Sequence, residues 1–386
     1  ASVACLQARS VIQEKSRTML IPGHATAEGT ARFRDRFSTR LPGHFRQAHG
    51  LWLSSIGLGT YLGDPTAASD LLYRDAVTHA LEMGTNVIDS AVNYRHQRSE
   101  RAIGRAVAAL ISEGKVLRDE LFLATKGGFL AFDGEELADP SAYFQEKLIT
   151  SGLVEPHDVV AGCHVMSPKY LENQIDVSRT NLGVETIDLY YLHNPETQLG
   201  EVGRKDFYQR LVAAFVALEG AVQQNKVRCY GTATWNAYRV SPESKDWVPL
   251  REVWRAAEDA GGKDHHFRAV QLPLNLAMPE ALAASTQPVD GQNVPLLRAA
   301  HRLGLMVFAS ASLLQGRLAE GLPPEITRHF QGLRTDAQRA IQFVRSTPGV
   351  TCALVGMSRR EHVEENLATA LVEPLQTEDY RALFVE

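Results

Sequence analysis

The chain has 386 residues, 44% of them hydrophobic and 22% charged, with a formal net charge of −5. That length makes one large domain or two ordinary ones, and the composition is that of a globular protein with a sizeable core. The mildly acidic balance argues against a nucleic-acid partner or a basic membrane patch, and no run of about 18 apolar residues is present to cross a bilayer.

The first stretch, "ASVACLQARSVIQEKSRTML", carries scattered charges and lacks the unbroken apolar segment of a secretory signal. Four cysteines, Cys5, Cys163, Cys229 and Cys352, lie far apart, with no CxxC pair and no histidine at zinc spacing. Free thiols in a reducing cytosol are the expectation, with no metal site and a cytoplasmic location. Cys229 and Cys352 open apolar runs and read as buried small hydrophobes.

Residues 1–50 read as an N-terminal extension, in which "HFRQAHGLWLSS" forms a hairpin across the lower end of the main domain. Residues 51–386 read as that one domain, built on a steady alternation. Short apolar runs recur as "IGLGTYL" (56–62), "NVIDS" (86–90), "LFLATKGG" (121–128) and "IDLYYLHN" (187–194). Four more come later: "CYGTATW" (229–235), "AVQLPLN" (269–275), "LMVFASAS" (305–312) and "CALVGM" (352–357). Near-continuous apolarity, without strict alternation, predicts strands covered on both faces, as in a parallel sheet.

The intervening stretches predict helices. Ser167 before Pro168 is a start signal, because a hydroxyl can cap free N–H groups and proline has none to satisfy. Leu171, Ile175 and Leu182 share a face, and Gly183 suits a left-handed stop. Over 206–226, Phe207, Leu211, Phe215, Leu218 and Val222 form one stripe, the pattern of a helix lying on a sheet. Eight such alternations with right-handed crossovers close most economically into a (β/α)8 TIM barrel. An open doubly wound sheet is the competing architecture, although no GxGxxG follows any run. Segments 129–166 and 276–292 break the repeat after strand ends, where such barrels build their sites, and are expected to border a substrate pocket with 196–206.

Polar groups gather where the runs end: Asp89 and Tyr94 after the second, Lys126 in the third, His193 and Asn194 in the fourth. In a barrel those ends are neighbours. An acid, a phenol, an amine and an imidazole around one pocket suit protonation of a carbonyl oxygen as hydride reaches its carbon. A nearby ammonium is expected to lower the phenol's pKa, with a carboxylate holding the ammonium charged. A Schiff-base role for Lys126 is a competing chemistry, disfavoured because an adjacent carboxylate keeps the amine protonated.

At these residues the sequence resembles the aldo-keto reductase superfamily over nearly all of 44–370. The resemblance rests on "IGLGTYLG", "GTNVIDSAVNYRHQRSERAIG", "LFLATKGG", "IDLYYLHNPE" and "ALVGMSRREHVEENL", in the family's order. It implies a barrel that binds a nicotinamide cofactor without a dinucleotide-binding fingerprint. It maps a catalytic tetrad onto Asp89, Tyr94, Lys126 and His193, with Tyr94 as general acid. It also assigns Gln271 to the nicotinamide carboxamide and "SLLQGRL", with Ser312, Leu314 and Gly316, to the pyrophosphate. "GMSRREHVEEN", with Gly356, Ser358, Arg359, Arg360 and His362, falls to the adenosine phosphate, with Glu365 and Asn366 directed at the adenine.

Two departures from the family stand out. Ala233 and Thr234 stand where members often have Ser-Asn, and Ser310 stands where many place a stacking tyrosine. Gly356 and His362 replace a lysine and an arginine that bind the 2′-phosphate in one branch, leaving Arg359 and Arg360 for that role and a lean towards NADPH over NADH. Tyr61, Phe129, Asn194 and Trp235 are candidate pocket residues. The expected partner is a small carbonyl or alcohol, and the sequence leaves the substrate, reaction direction and oligomeric state open. The alternative is a cofactor-binding regulatory or sensor barrel with little turnover.

Overall fold

All eight apolar runs form strands, because residues with branched and aromatic side chains fit a pleated surface buried on both sides. In the computed structural model, which describes residues 19–135 and 137–384, the first two strands, β1 (Phe45–Ala48) and β2 (Leu51–Ser54), form a hairpin. The barrel strands are β3 (Ile56–Gly59), β4 (Val87–Asp89), β5 (Phe122–Gly127), β6 (Ile187–His193), β7 (Val227–Ala233) and β8 (Phe267–Pro273). A second hairpin, β9 (Gln287–Val289) and β10 (Gln292–Val294), interrupts the series before β11 (Met306–Ser310) and β12 (Cys352–Gly356). The eight barrel strands pair in parallel and close on themselves, β12 returning to β3. An open doubly wound sheet is thereby excluded. Residues 1–18 of the expected extension, and Cys5, lie outside the described residues.

Side chains alternate across each strand and sort into two cores. Leu58, Ile88, Leu123, Tyr190 and Val270 face outward and pack with helix residues such as Val77, Ile103, Leu171 and Phe215. Val87, Phe122, Leu189, Tyr191, Phe308 and Leu354 face the lumen. The lumen is filled: Phe122 and Phe308 stack at 5.9 Å, with Tyr191 edge-on to Phe308 at 6.3 Å. Gly231 makes room for this packing, since a Cβ there would lie 2.1 Å from the Ala269 carbonyl and 3.2 Å from Tyr191. Below, Leu53 of the β1–β2 hairpin joins the lumen core, and Arg46 donates to the carbonyls of Arg345 and Val350.

The longer helices are α1 (Ala27–Phe37), α2 (Ala67–Glu82), α3 (Arg98–Ser112), α4 (Pro168–Leu182) and α5 (Arg204–Gln223). After these come α6 (Leu250–Gly261), α7 (Leu296–Arg302), α8 (Asp336–Ser346) and α9 (Arg360–Leu367). Phe207, Leu211, Phe215 and Leu218 of α5 are fully buried, each contributing roughly 1.5–3 kcal/mol. Gly183 ends α4 in the left-handed region at φ 69°. The expected cap at Ser167 does not form: it holds the cap position, with Pro168 next, but its buried hydroxyl has no partner.

The two loops expected to border a pocket take different courses. The segment after β5 turns back on itself and ties down beside its own strand, through Leu130 N to Cys163 O and Val165 N to Gly128 O, each 2.7 Å. The segment 276–292 was expected to border the pocket, but its second half forms β9 and β10 and packs against α6 and α7. Gln287 there accepts from Leu250 N and donates to Tyr238 O, so this half belongs to the helical layer. Cys229 is another correction: it lies inside β7, only partly buried, while Cys352 is buried and both are free. Among the described residues no helix is long and apolar enough to cross a membrane, and no cluster of three His, Cys, Asp or Glu could hold a metal.

Candidate active site

The alternation that fills the lumen also aims a polar residue at or near the end of four strands. The series Val87–Asp89, Ala124–Lys126, Tyr191–His193 and Ala269–Gln271 each end in a polar group above an apolar one. Strand pairing sets these ends side by side, with Lys126 opposite Tyr191, and Ala233 between His193 and Gln271. Asp89 and Gln271, 182 positions apart, thus meet at one rim.

Lys126 is the centre of the cluster. Its ammonium donates to Asp89 Oδ1 at 2.5 Å, to the Ser90 carbonyl at 2.7 Å and to Tyr94 Oη at 3.3 Å. These three acceptors match its three N–H groups. Gln271 Nε2 donates to the other Asp89 oxygen at 2.8 Å, so the carboxylate is held on both sides. Because an ammonium can only donate, the Tyr94 oxygen is an acceptor here and its own proton points elsewhere.

The rings form a wall over this cluster. Tyr94 meets Tyr61 edge-on at 5.0 Å and His193 at 5.9 Å, and His193 meets Phe129 at 5.0 Å. Asn194 follows in the left-handed region at φ 45°, which asparagine tolerates. Trp235 stands 43% exposed on the loop after β7.

Charge and burial oppose each other throughout. Burial pulls the Lys126 ammonium down, yet the Asp89 carboxylate and Tyr94 outweigh it and the net direction is up. For Asp89, burial pushes the carboxyl up against the pull of Lys126 and Gln271. The ion pair at 2.5 Å, with every N–H of the ammonium satisfied, is the arrangement that keeps both charges in place. The sequence led us to expect a lowered Tyr94 pKa, and the structure corrects this. Burial pushes the phenol up, and the opposing pull of Lys126 does not overcome it. Tyr94 is therefore a neutral phenol at neutral pH, a proton donor. Burial, then Lys126 and His164, hold His193 well below the usual imidazole range, so it too is neutral.

A buried neutral histidine makes stability pH-dependent with a definite sign. His164 is pushed down to about 4 by burial, against 6.5 when unfolded. Between those values the unfolded chain binds a proton that the folded chain does not, so stability falls as pH drops through this window. Thermal midpoints recorded from pH 7 to pH 4 are expected to decline less steeply in His164→Asn than in the parent chain. Parallel slopes would show that His164 titrates alike in both states.

The cofactor residues spread along the neighbouring ends. Ser312 is buried and donates to Ala309 O at 3.3 Å, and Leu314, Gln315 and Gly316 turn through positive φ. Gly356 ends β12; Ser358 is half-buried, and Arg359, Arg360 and His362 are exposed. Glu365 is half-buried, with its carbonyl accepting from Gln338, and Asn366 is buried. A Cβ at Gly316 or Gly356 would meet nothing within 4 Å, so both backbones border open space.

Three groups at the rim carried no signal of their own in the sequence. The Ser90 carbonyl is a backbone atom and has none to give. His164 donates Nε2–H to the His193 carbonyl at 2.7 Å, and Gln198 donates to its other nitrogen at 2.9 Å. Glu196, the last residue of "LHNPE", is buried and accepts from the backbone N–H of Trp235 and Asn236 at 2.7 and 3.0 Å.

A model of the Aldo/keto reductase family matches residues 55–250, about half of the chain. An uncharacterized oxidoreductase of Bacillus subtilis is 22% identical over 355 residues, 86% of this chain and 92% of its own. A putative voltage-gated potassium channel subunit beta of Schizosaccharomyces pombe is 24% identical over 353 residues, 88% and 90% of the two chains. An aldo/keto reductase from Klebsiella pneumoniae, solved with NADP and acetate, superposes with a TM-score of 0.60 at 22% identity, over 88% and 94% of the chains.

Proposed function

Since the chain belongs to the aldo/keto reductase family, whose members are NAD(P)-dependent oxidoreductases, we propose that it interconverts an aldehyde, ketone or sugar carbonyl and an alcohol with Tyr94 as acid and base. The observation that supports this is the 3.3 Å contact in which Lys126 donates to the Tyr94 oxygen and leaves the phenolic proton free for a substrate. When bound, the nicotinamide supplies the hydride. Tyr94 gives its proton to the carbonyl oxygen, a favourable transfer because an alkoxide is far more basic than a phenolate. The phenolate left behind is paired with Lys126, whose charge Asp89 secures. His193, neutral and beside Tyr94, orients the carbonyl as a hydrogen-bond partner. Tyr61, Phe129, Asn194 and Trp235 line the space above and bear on which carbonyl enters.

Gln271, Ser312, Leu314, Gly316, Gly356, Ser358, Arg359, Arg360, His362, Glu365 and Asn366 are the residues that would hold the cofactor. Gln271 commits one amide N–H to Asp89, which leaves its oxygen and its second N–H to read a carboxamide. We favour NADPH. Arg359 is exposed and has no ion pair among the described residues, whereas Arg360 is engaged by Glu364 at 3.2 Å. Arg359→Ala is expected to cost about tenfold in kcat/KM with NADPH, the worth of one charge-assisted hydrogen bond, and little with NADH. A preference for NADH that survives both Arg359→Ala and Arg360→Ala would remove the case for NADPH.

A regulatory barrel is the second reading, favoured by the likeness to a potassium channel subunit beta in Schizosaccharomyces pombe. Against it, a sensor has no use for an amine set against a phenol. A screen of aldehydes, ketones and sugars, followed by the absorbance of reduced nicotinamide, separates the two. Turnover supports the enzyme; tight cofactor binding with no turnover on any member supports the sensor.

A further inference from the structure

Tyr94 is followed by a stretch of backbone that few sequences would adopt unaided. Arg95, His96 and Gln97 have φ of 48°, 53° and 69°, three consecutive side-chain-bearing residues in the left-handed region. Residues other than glycine enter that region singly and at a cost, and a run of three persists only where surrounding contacts over-determine it.

Two of those contacts meet on one carboxylate. Asp70, in the first turn of α2, accepts from Arg95 Nη1 at 2.8 Å through Oδ1 and from Arg98 Nη2 at 2.6 Å through Oδ2. Arg95 is the first residue of the left-handed turn and Arg98 the first of α3 beyond it, so Asp70 pins both ends. The Arg95 side chain is 1% exposed and lies over the Tyr73 ring at 4.6 Å; its Nε and Nη2 have no partner. Asp70 is thus the one carboxylate that compensates this buried cation among the described residues. On the far side the turn is sewn to the segment after β5. Gln97 Nε2 donates to Phe132 O at 3.0 Å, and Gly134 N to His96 O at 3.1 Å.

We infer that Asp70 is a positioning residue for Tyr94: by clamping Arg95 and Arg98 it holds the left-handed turn that presents the phenol to Lys126 and substrate. Asp70 touches neither, and it acts on orientation through the backbone. This rests on the reading of Tyr94 as the acid. Removing the carboxylate leaves Arg95 buried without a counter-charge, and the turn relaxes to relieve both the charge and the backbone conformation. Replacing Arg95 by glycine removes the stranded charge and relieves the first of the three left-handed positions, since glycine takes positive φ freely, while His96 and Gln97 keep their contacts with Gly134 and Phe132.

The test uses NADPH and 4-nitrobenzaldehyde as probe. Asp70→Ala is expected to lower kcat about a hundredfold, the effect of displacing a reacting group by about an ångström, with cofactor affinity by fluorescence unchanged. Adding Arg95→Gly is expected to restore kcat to within about fivefold of the parent, because the buried charge is gone and the first left-handed position no longer carries strain. If Asp70→Ala fails to fold, Asp70→Asn, which keeps the volume and loses the charge, is expected to show the same loss and the same rescue. A parental kcat in the Asp70 variants overturns the inference. So does a loss that Arg95→Gly does not recover while cofactor affinity falls in step, the signature of a general folding defect. Tyr94→Phe, run alongside, keeps the two ideas apart: if it still turns over, the acid is misassigned, whereas an inactive Tyr94→Phe beside a fully active Asp70→Ala refutes the clamp alone.

Discussion

Tyr94→Phe is expected to reduce kcat by about a thousandfold while cofactor binding stays as in the parent. The change deletes one oxygen, the atom that accepts from Lys126 at 3.3 Å and that would carry the transferred proton. The ring remains to pack against Tyr61 and His193, so little shape is lost. In the parent, reduction is expected to hold steady through neutral pH and fall only on the alkaline side. Through neutral pH burial keeps the phenol protonated, and His193, held low, does not change charge in that range. The variant should lose the rate without acquiring a new pH dependence. Near-parental kcat in Tyr94→Phe would mean the proton comes from another group.

Lys126→Met addresses stability as much as turnover. Lys126 and Asp89 are 1% and 7% exposed at the side chain, and removing one partner leaves the other charge buried and uncompensated. Breaking such a pair costs about 3–5 kcal/mol, which urea unfolding would read directly. The deficit should also depend on pH. Burial already pushes Asp89 up with Lys126 present, and without Lys126 nothing comparable opposes it. A carboxyl whose folded pKa lies above its unfolded value favours the folded state at low pH and loses that contribution as pH rises. Lys126→Met should therefore approach the parent in stability towards the acid side and fall furthest below it at neutral pH. Adding Asp89→Asn should recover stability at neutral pH and leave the enzyme inactive. A deficit that is the same at every pH would show that lost packing, not the stranded carboxylate, is responsible.

What could be read from the sequence was whatever has a period or a fixed local shape. The eight apolar runs marked eight strands because burial on both faces demands continuous apolarity, and Gly183 marked the end of α4 because a left-handed residue is local geometry. Asp89, Tyr94, Lys126 and His193 were legible as polar residues at strand ends, where an apolar pattern stops without a packing reason. Ser167 shows the limit of local rules: the residue type and position suit a cap, yet its hydroxyl is buried unpartnered. The second half of 276–292 shows another. A polar loop looks the same in sequence whether it borders a mouth or lies on a helical layer.

The sequence alone determined the barrel and the set of chemical groups at its rim, since hydrophobic periodicity and residue type are properties of a chain read one stretch at a time. Only the tertiary structure decided that Lys126 spends its three N–H groups on Asp89, Ser90 and Tyr94, that the phenol is raised and not lowered, and that Asp70 closes the turn beyond it. Each of those is a balance between burial and a partner from another strand or helix. Such a balance has no value until the chain has closed and the distances exist.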